Sequence, residues 1–232
     1  MIGDGRVVAL VPARAGSRGI PQKNLRQVGG VSLLERAISI GLDCPEVDRV
    51  VVSTDGEDIA AAATSAGAEV IDRPDELSGD DVIVADVVRH VLDELRRGGE
   101  TARYMVLLEP TAPLRTVDDV SLCVKRLHEE GLDSVATFTN ATLNPCRAWK
   151  IGADGRPELF LGDSVPWLPR QRLPEAYQLT GHVYAFVLDK LGDETGLLFG
   201  ETGSVIVDRH RLVDIDDEIE LEIADALIRR LG

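Results

Sequence analysis

Residues 7–24 read VVALVPARAGSRGIPQKN, and this stretch decides the fold. Val7 to Val11 is an unbroken apolar run. Such a run, with no polar alternation, predicts a strand buried on both faces, as in a parallel sheet. The character then changes. Ala13-Arg14-Ala15-Gly16-Ser17-Arg18-Gly19 is small, flexible and cationic, and Lys23-Asn24 closes it. Open α/β sheets bind ligands beyond the carboxyl ends of their strands, which is where this loop falls. Gly16 and Gly19 let the backbone come close with its N–H groups turned inward. Arg14, Arg18 and Lys23 supply cations. The loop suits phosphate, and it equally suits a basic surface connection between a strand and a helix.

Working outward, Ser32-Leu33-Leu34-Glu35 is a capping box that predicts a helix to about Asp43. Residues 49–54 (RVVVST) predict a second buried strand. Asp55 is placed to cap the Ala-rich helix of residues 57–66, which Gly67 stops. Residues 68–71 predict a third strand, 82–97 a helix and 104–108 a fourth strand. Two prolines exclude helix from residues 109–116. Thr116 with Asp118-Asp119 then opens a helix to about Glu130, and 133–139 is a fifth strand. The order βαβαβαβαβ argues for an α/β domain, a mostly parallel sheet with helices on both faces.

That pattern breaks at residues 140–181, rich in Pro, Gly and Arg. A hairpin is expected around Ala153-Asp154-Gly155, between residues 147–151 and 158–161. An irregular stretch this long reads as a binding loop or lid. Strands are expected at 182–187, 204–207 and 212–215, and a last helix over 217–231.

The chain has 232 residues, 44% hydrophobic and 28% charged, which is enough for one sizeable α/β domain. No apolar stretch approaches the ~20 residues of a membrane span. The start, MIGDGRVVAL, lacks the features of a secretory signal. A soluble cytoplasmic protein without a membrane partner is expected. The net charge of −15 repels polyanions, so nucleic acid is excluded as the main partner. A small phosphorylated ligand needs only a local cationic pocket. Cys44, Cys123 and Cys146 are scattered and odd in number, giving neither a disulfide framework nor a zinc site. His90, His128 and His210 are expected at the surface, while His182 is ambiguous.

Asp214 and Asp216 lie two apart at an expected strand end, so both carboxylates would face one side and could share a cation. Mg²⁺ is commonly held by one or two carboxylates beside phosphate oxygens. The alternative is that Asp216 merely caps the last helix. Arg147, Arg170 and Arg172 could form an anion pocket or simply face solvent. GxxxxGK[ST], a dinucleotide fingerprint, GxSxG and HExxH are all absent.

Together the motifs resemble the acylneuraminate cytidylyltransferases, the CMP-sialic acid synthetase family. The resemblance covers nearly the whole chain. It runs through Pro12-Ala13-Arg14-Ala15-Gly16-Ser17 to Lys23-Asn24, Val52-Ser53-Thr54-Asp55 and Arg73-Pro74. It continues through Leu107-Leu108-Glu109-Pro110-Thr111-Ala112-Pro113-Leu114-Arg115-Thr116, Pro169-Arg170-Gln171-Arg172-Leu173-Pro174, Gly181-His182-Val183-Tyr184 and Val213-Asp214-Ile215-Asp216.

The resemblance implies a Rossmann-like, three-layer nucleotidyltransferase fold. It implies transfer of CMP from CTP to an acidic acceptor with release of pyrophosphate, using Mg²⁺. Arg14 and Lys23 would hold the triphosphate beside Ser17 and Asn24, with Arg73 at the nucleoside. Asp214 and Asp216 would bind the metal. Arg147 and Arg170 would grip the acceptor carboxylate, with Glu109, Gln171 and Tyr184 near the acceptor. It also implies a homodimer, with a single domain of residues 1–232 and a dimerisation insertion at about 140–182.

Three positions depart from the family pattern. Glu109 stands where Gln is usual, Thr180 where Asn is usual, and Val84 replaces a hydroxyl residue expected near cytosine. The acceptor expected is a nonulosonic acid such as sialic, legionaminic or pseudaminic acid. A small phosphonate such as phosphonoformate is the alternative, and a nucleotide-binding regulator without turnover is the rival from another class.

Overall fold

The computed structural model describes residues 2–3, 5–16, 19–192 and 195–231, the last as backbone alone. The strands are β1 (Val7–Pro12), β2 (Gln27–Val28), β3 (Val31–Ser32), β4 (Arg49–Thr54), β5 (Glu69–Asp72), β6 (Tyr104–Leu107) and β7 (Ser134–Asn140). They continue with β8 (Trp149–Ile151), β9 (Pro157–Leu159), β10 (Tyr177–Val187) and β11 (Thr202–Ile206). The α-helices are α1 (Leu33–Asp43), α2 (Glu57–Ser65), α3 (Val84–Arg97), α4 (Val117–Glu129) and α5 (Glu218–Leu231).

Seven strands form one sheet in the order β11-β7-β10-β6-β1-β4-β5. All run parallel except β10, which is antiparallel to both β6 and β7. β1 explains the layering. Val7, Ala9 and Val11 pack into one apolar layer with Leu34 and Ile38 of α1, Ala63 of α2 and Val124 of α4. Val8 and Leu10 point the other way, against Val88, Val91 and Leu95 of α3. A strand sandwiched between helices needs apolar side chains at every position, which is why its sequence does not alternate.

Successive strands move outward from β1 to β4 and β5. The chain then returns to place β6 on the other side of β1. That reversal leaves a crevice at the carboxyl ends of β1 and β6, where such sheets bind ligands.

A third apolar cluster lies beneath this crevice. Ile20, from just after the glycine-rich loop, is fully buried with Val213 and Ile215, Leu114, and Leu221 and Ala224 of α5. It fastens the loop to the segment carrying Asp214 and Asp216.

Several expectations are corrected. Asp55 does not cap α2; its carboxylate accepts a bond from Ala15 N at 2.8 Å, tying the loop to the end of β4. Residues 212–215 form no strand, although Ile215 N donates to Thr111 O at 2.9 Å. β10 begins five residues before His182, because Gly181 at φ +70° forms a bulge that lets the ladder with β7 shift and continue. His128 is half-buried, with Nδ1 3.0 Å from the Tyr104 hydroxyl. The β8–β9 hairpin forms as expected, apart from the main sheet. Among the described residues no helix is long and apolar enough to cross a membrane.

Candidate active site

The crevice holds a cavity of about 610 Å³. Arg14, Gly19, Lys23 and Asn24 line it from the loop, Glu109, Pro110 and Thr111 from beyond β6, and Asp216 from the segment before α5. Arg73, Leu77, Val82, Val84 and Val87 close the far end.

The loop and the acidic segment touch. Lys23 Nζ donates to Asp216 Oδ1 at 3.1 Å and to Ile215 O at 2.9 Å. A Cβ on Gly19 would collide with the Asp216 carbonyl, so only glycine permits that approach. Helix capping does not occupy Asp216. Asp217 accepts from Glu220 N at 2.9 Å, while Glu220 accepts from Asp216 N and Asp217 N. That reciprocal box leaves the Asp216 carboxylate facing the cavity, 78% exposed. The reading of Asp216 as a mere cap therefore falls.

Asp214 is solvent-accessible, between the buried Val213 and Ile215. Desolvation first, and then the neighbouring Asp216 carboxylate, push its carboxyl group upward, against a bond with Thr111. Glu109 is pushed up to about 7, by burial and then by Asp214. Tyr184 is pushed up to about 12 by burial and by the charges of Glu109 and Asp214. These shifts follow from acidic oxygens set close together at the cavity, which Glu109 and Asp216 line while Asp214 and Tyr184 stand beside it. Among the described residues no three acidic, His or Cys side chains gather into a complete cation site. The oxygen pair suits a hard cation that draws its remaining ligands from phosphate and water.

Arg14 forms an ion pair with Asp80 at 2.6 Å and donates to Ser78 O at 3.3 Å. Asn24 donates to the Arg14 carbonyl at 3.0 Å, so its amide also closes the loop. Arg73 is buried and pushed down to about 10, by burial and then by Arg14, against Asp55. Its Nε and Nη2 bind Ser53.

Arg115, to which the sequence assigns no task, is buried and donates to three carbonyls: those of Glu109, Gly181 and His182. Burial pushes it down to about 10, against the charges of Glu109 and Asp119. It sets the backbone from which the Glu109 side chain enters the cavity.

Not every expected residue gathers here. Arg147, Arg170 and Gln171 line a second cavity of about 400 Å³ with residues 140–144 and 173–176. Thr180 reaches neither cavity; it is buried, with its hydroxyl 2.7 Å from that of Thr137 at the β10 bulge. Ser17 lies outside the described residues.

The sequence profile of the cytidylyltransferases matches residues 8–147, more than half of the chain. This chain belongs to the cytidylyltransferase family. It is a CTP-dependent nucleotidyl-transferring enzyme. It is 28% identical over 231 residues to a CMP-N,N'-diacetyllegionaminic acid synthase of Legionella pneumophila, covering 96% of both chains. It is 29% identical over 229 residues to a pseudaminic acid cytidylyltransferase of Campylobacter jejuni, again covering 96% of both. Its fold matches that of a CMP:2-keto-3-deoxy-manno-octonic acid synthetase solved with CTP, with a TM-score of 0.73 at 17% identity, covering 98% of this chain and 100% of that one. In this cytidylyltransferase the family match takes in the loop, Arg73, Glu109 and Arg147. Asp214 and Asp216 fall beyond it.

Proposed function

We propose that the protein transfers CMP from CTP to a carboxylate-bearing nonulosonic acid, releasing pyrophosphate. The observation that carries this reading is the meeting of Arg14, Lys23 and Asp216 around one cavity at the strand-order reversal. The two relatives named for legionaminic and pseudaminic acid, each matched over nearly its whole length, support the acceptor class.

In this reading Arg14 and Lys23 hold the triphosphate, with Ser17 and Asn24 beside them and Arg73 at the nucleoside. Lys23 neutralises charge that grows on the departing pyrophosphate. Asp214 and Asp216 hold Mg²⁺, whose charge, when bound, polarises the α-phosphate. Glu109 and Tyr184 border the acceptor. Both reactants are anions, so fixing them in line removes much of the barrier.

The acceptor carboxylate needs a cation that this cavity does not spare. Arg147 and Arg170 are suited to grip it, helped by Gln171, but they line the second cavity. We assign them to a homodimer, in which the extension of residues 140–182 reaches the crevice of a second copy. That extension exposes Trp149, Ile151, Phe160, Leu161, Val165 and Trp167, an apolar surface suited to a partner. We assign the reaction to the cytoplasm, where CTP is made.

The test is a panel of acids (sialic, legionaminic, pseudaminic, deoxy-octulosonic and phosphonoformic) each given with CTP and Mg²⁺. Products are identified by mass spectrometry. A CMP ester of a nonulosonic acid is expected. A product from phosphonoformate alone would move the assignment to phosphonates, and CTP binding without pyrophosphate release from any acid would overturn the reading.

A further inference from the structure

Residues 212–216 carry the two acids, yet no sheet partner sets their register. Their geometry depends on fixed points at either end. At the far end, Ile215 is held by Thr111 and buried in the third apolar cluster. At the near end stands Arg211. Its guanidinium grips Asp119 of α4 with both arms, Nη1 to Oδ2 at 2.5 Å and Nη2 to Oδ1 at 2.8 Å. Its carbonyl lies 3.1 Å from His182 Nε2, and since a carbonyl can only accept, Nε2 carries the hydrogen.

His182 is completely buried. Its other nitrogen, Nδ1, is 3.6 Å from Asp119 Oδ2 and has no hydrogen-bond partner among the described residues. The ring therefore stands between the Asp119 carboxylate and the backbone that leads into Val213 and Asp214, and its Nε2 hydrogen bond goes to that backbone. His182 is itself fixed by the β10 bulge. Its N–H donates to Thr180 Oγ1 at 3.3 Å, and its carbonyl accepts from Arg115. A chain of contacts thus runs from the bulge beneath Glu109 to the segment bearing the acid pair.

We propose that His182 is a positioning residue for the Asp214–Asp216 pair, acting through its hydrogen bond to the Arg211 carbonyl. Arg211 and Asp119 complete the unit from the side of α4. This inference rests on the reading of Asp214 and Asp216 as metal ligands, and it adds what holds them in place.

The test compares H182Q with H182N. Gln carries an amide nitrogen to the position of Nε2 and keeps the bond to Arg211. Asn is one carbon shorter, reaches only the Nδ1 side and loses that bond. The readout is CTP affinity by calorimetry without acceptor, once with Mg²⁺ and once with EDTA. The ratio of the two dissociation constants is the metal coupling.

H182N should lower that ratio about fivefold, the equivalent of one lost hydrogen bond of ~1 kcal/mol, with affinity in EDTA unchanged. H182Q should keep the wild-type ratio. Both variants lose imidazole packing, so a purely structural role would lower both melting temperatures and leave both ratios alone. Wild-type coupling that H182N preserves would overturn the positioning role while sparing the metal reading. Wild-type protein with no coupling would overturn both.

Discussion

Lys23 and Asp216 are 193 positions apart in the chain, and their side chains stand 3.1 Å from each other. The pair joins the turn after the first strand to the segment before the last helix. It does so at the mouth of a cavity that also receives Arg14, Arg73 and Glu109. Its worth lies in placement. Asp216 is largely exposed, and exposed ion pairs contribute at most about 1 kcal/mol.

Lys23→Ala should accordingly unfold at nearly the wild-type denaturant concentration. Its affinity for CTP should fall by roughly ten- to a hundredfold, the value of a charge-assisted bond. Calorimetric titration with CTP measures this, and unchanged affinity would remove Lys23 from the triphosphate.

Gly19 and Gly16 sit in one loop under opposite constraints. A methyl group on Gly19 would strike the Asp216 carbonyl, whereas one on Gly16 meets nothing within 4 Å. Gly19→Ala should push the loop off the acidic segment and cut kcat/KM by ~10²-fold or more, as misplacement of about an ångström does. Gly16→Ala should remain close to wild type. Steady-state assays of both variants decide the matter, and equal effects would contradict the contact.

Much of this arrangement was legible in the sequence. Val7 to Val11 announced a central strand because both its faces are covered, and Ser32 with Glu35 announced α1 because the capping box is local chemistry. The acids of Val213-Asp214-Ile215-Asp216 were legible as a pair, since apolar residues turned inward leave both acids facing out. Their setting was read wrongly as a strand. Thr111, Ile20 and His182 fix that segment from far along the chain, and no periodicity records such contacts. Arg115 was silent for the same reason: its partners are three backbone carbonyls, which carry no side-chain signature. Asp55 looked like a cap by its spacing, but tertiary structure turned it toward Ala15.

Glu109 carries a pH signature. Its folded value is raised from 4.5 to about 7, by burial and then by Asp214. The folded state therefore binds more protons than the unfolded chain between those values. The resulting stability is fully present below about pH 4.5 and is lost as pH rises through 7. Glu109→Gln should remove this slope. Denaturation at pH 5, 6, 7 and 8 in metal-free buffer compares the two proteins, and parallel stability curves would show that Glu109 does not titrate in this range.

Arg115→Met should strip the carbonyls of Glu109, Gly181 and His182 of their shared donor. It should also leave Asp119 with one fewer neighbouring cation. Removing one partner from a buried charged network typically costs about 3–5 kcal/mol. Equilibrium unfolding in urea should register a loss of that order, and a change below about 1 kcal/mol would mean the carbonyls find other donors.

The most direct test of the central claim is a crystal structure of the protein soaked with CTP and Mn²⁺, the metal located by anomalous scattering. The account predicts the triphosphate between Arg14 and Lys23, with the anomalous peak beside Asp214 and Asp216. A triphosphate bound away from that loop, or a metal peak remote from both aspartates, would contradict it.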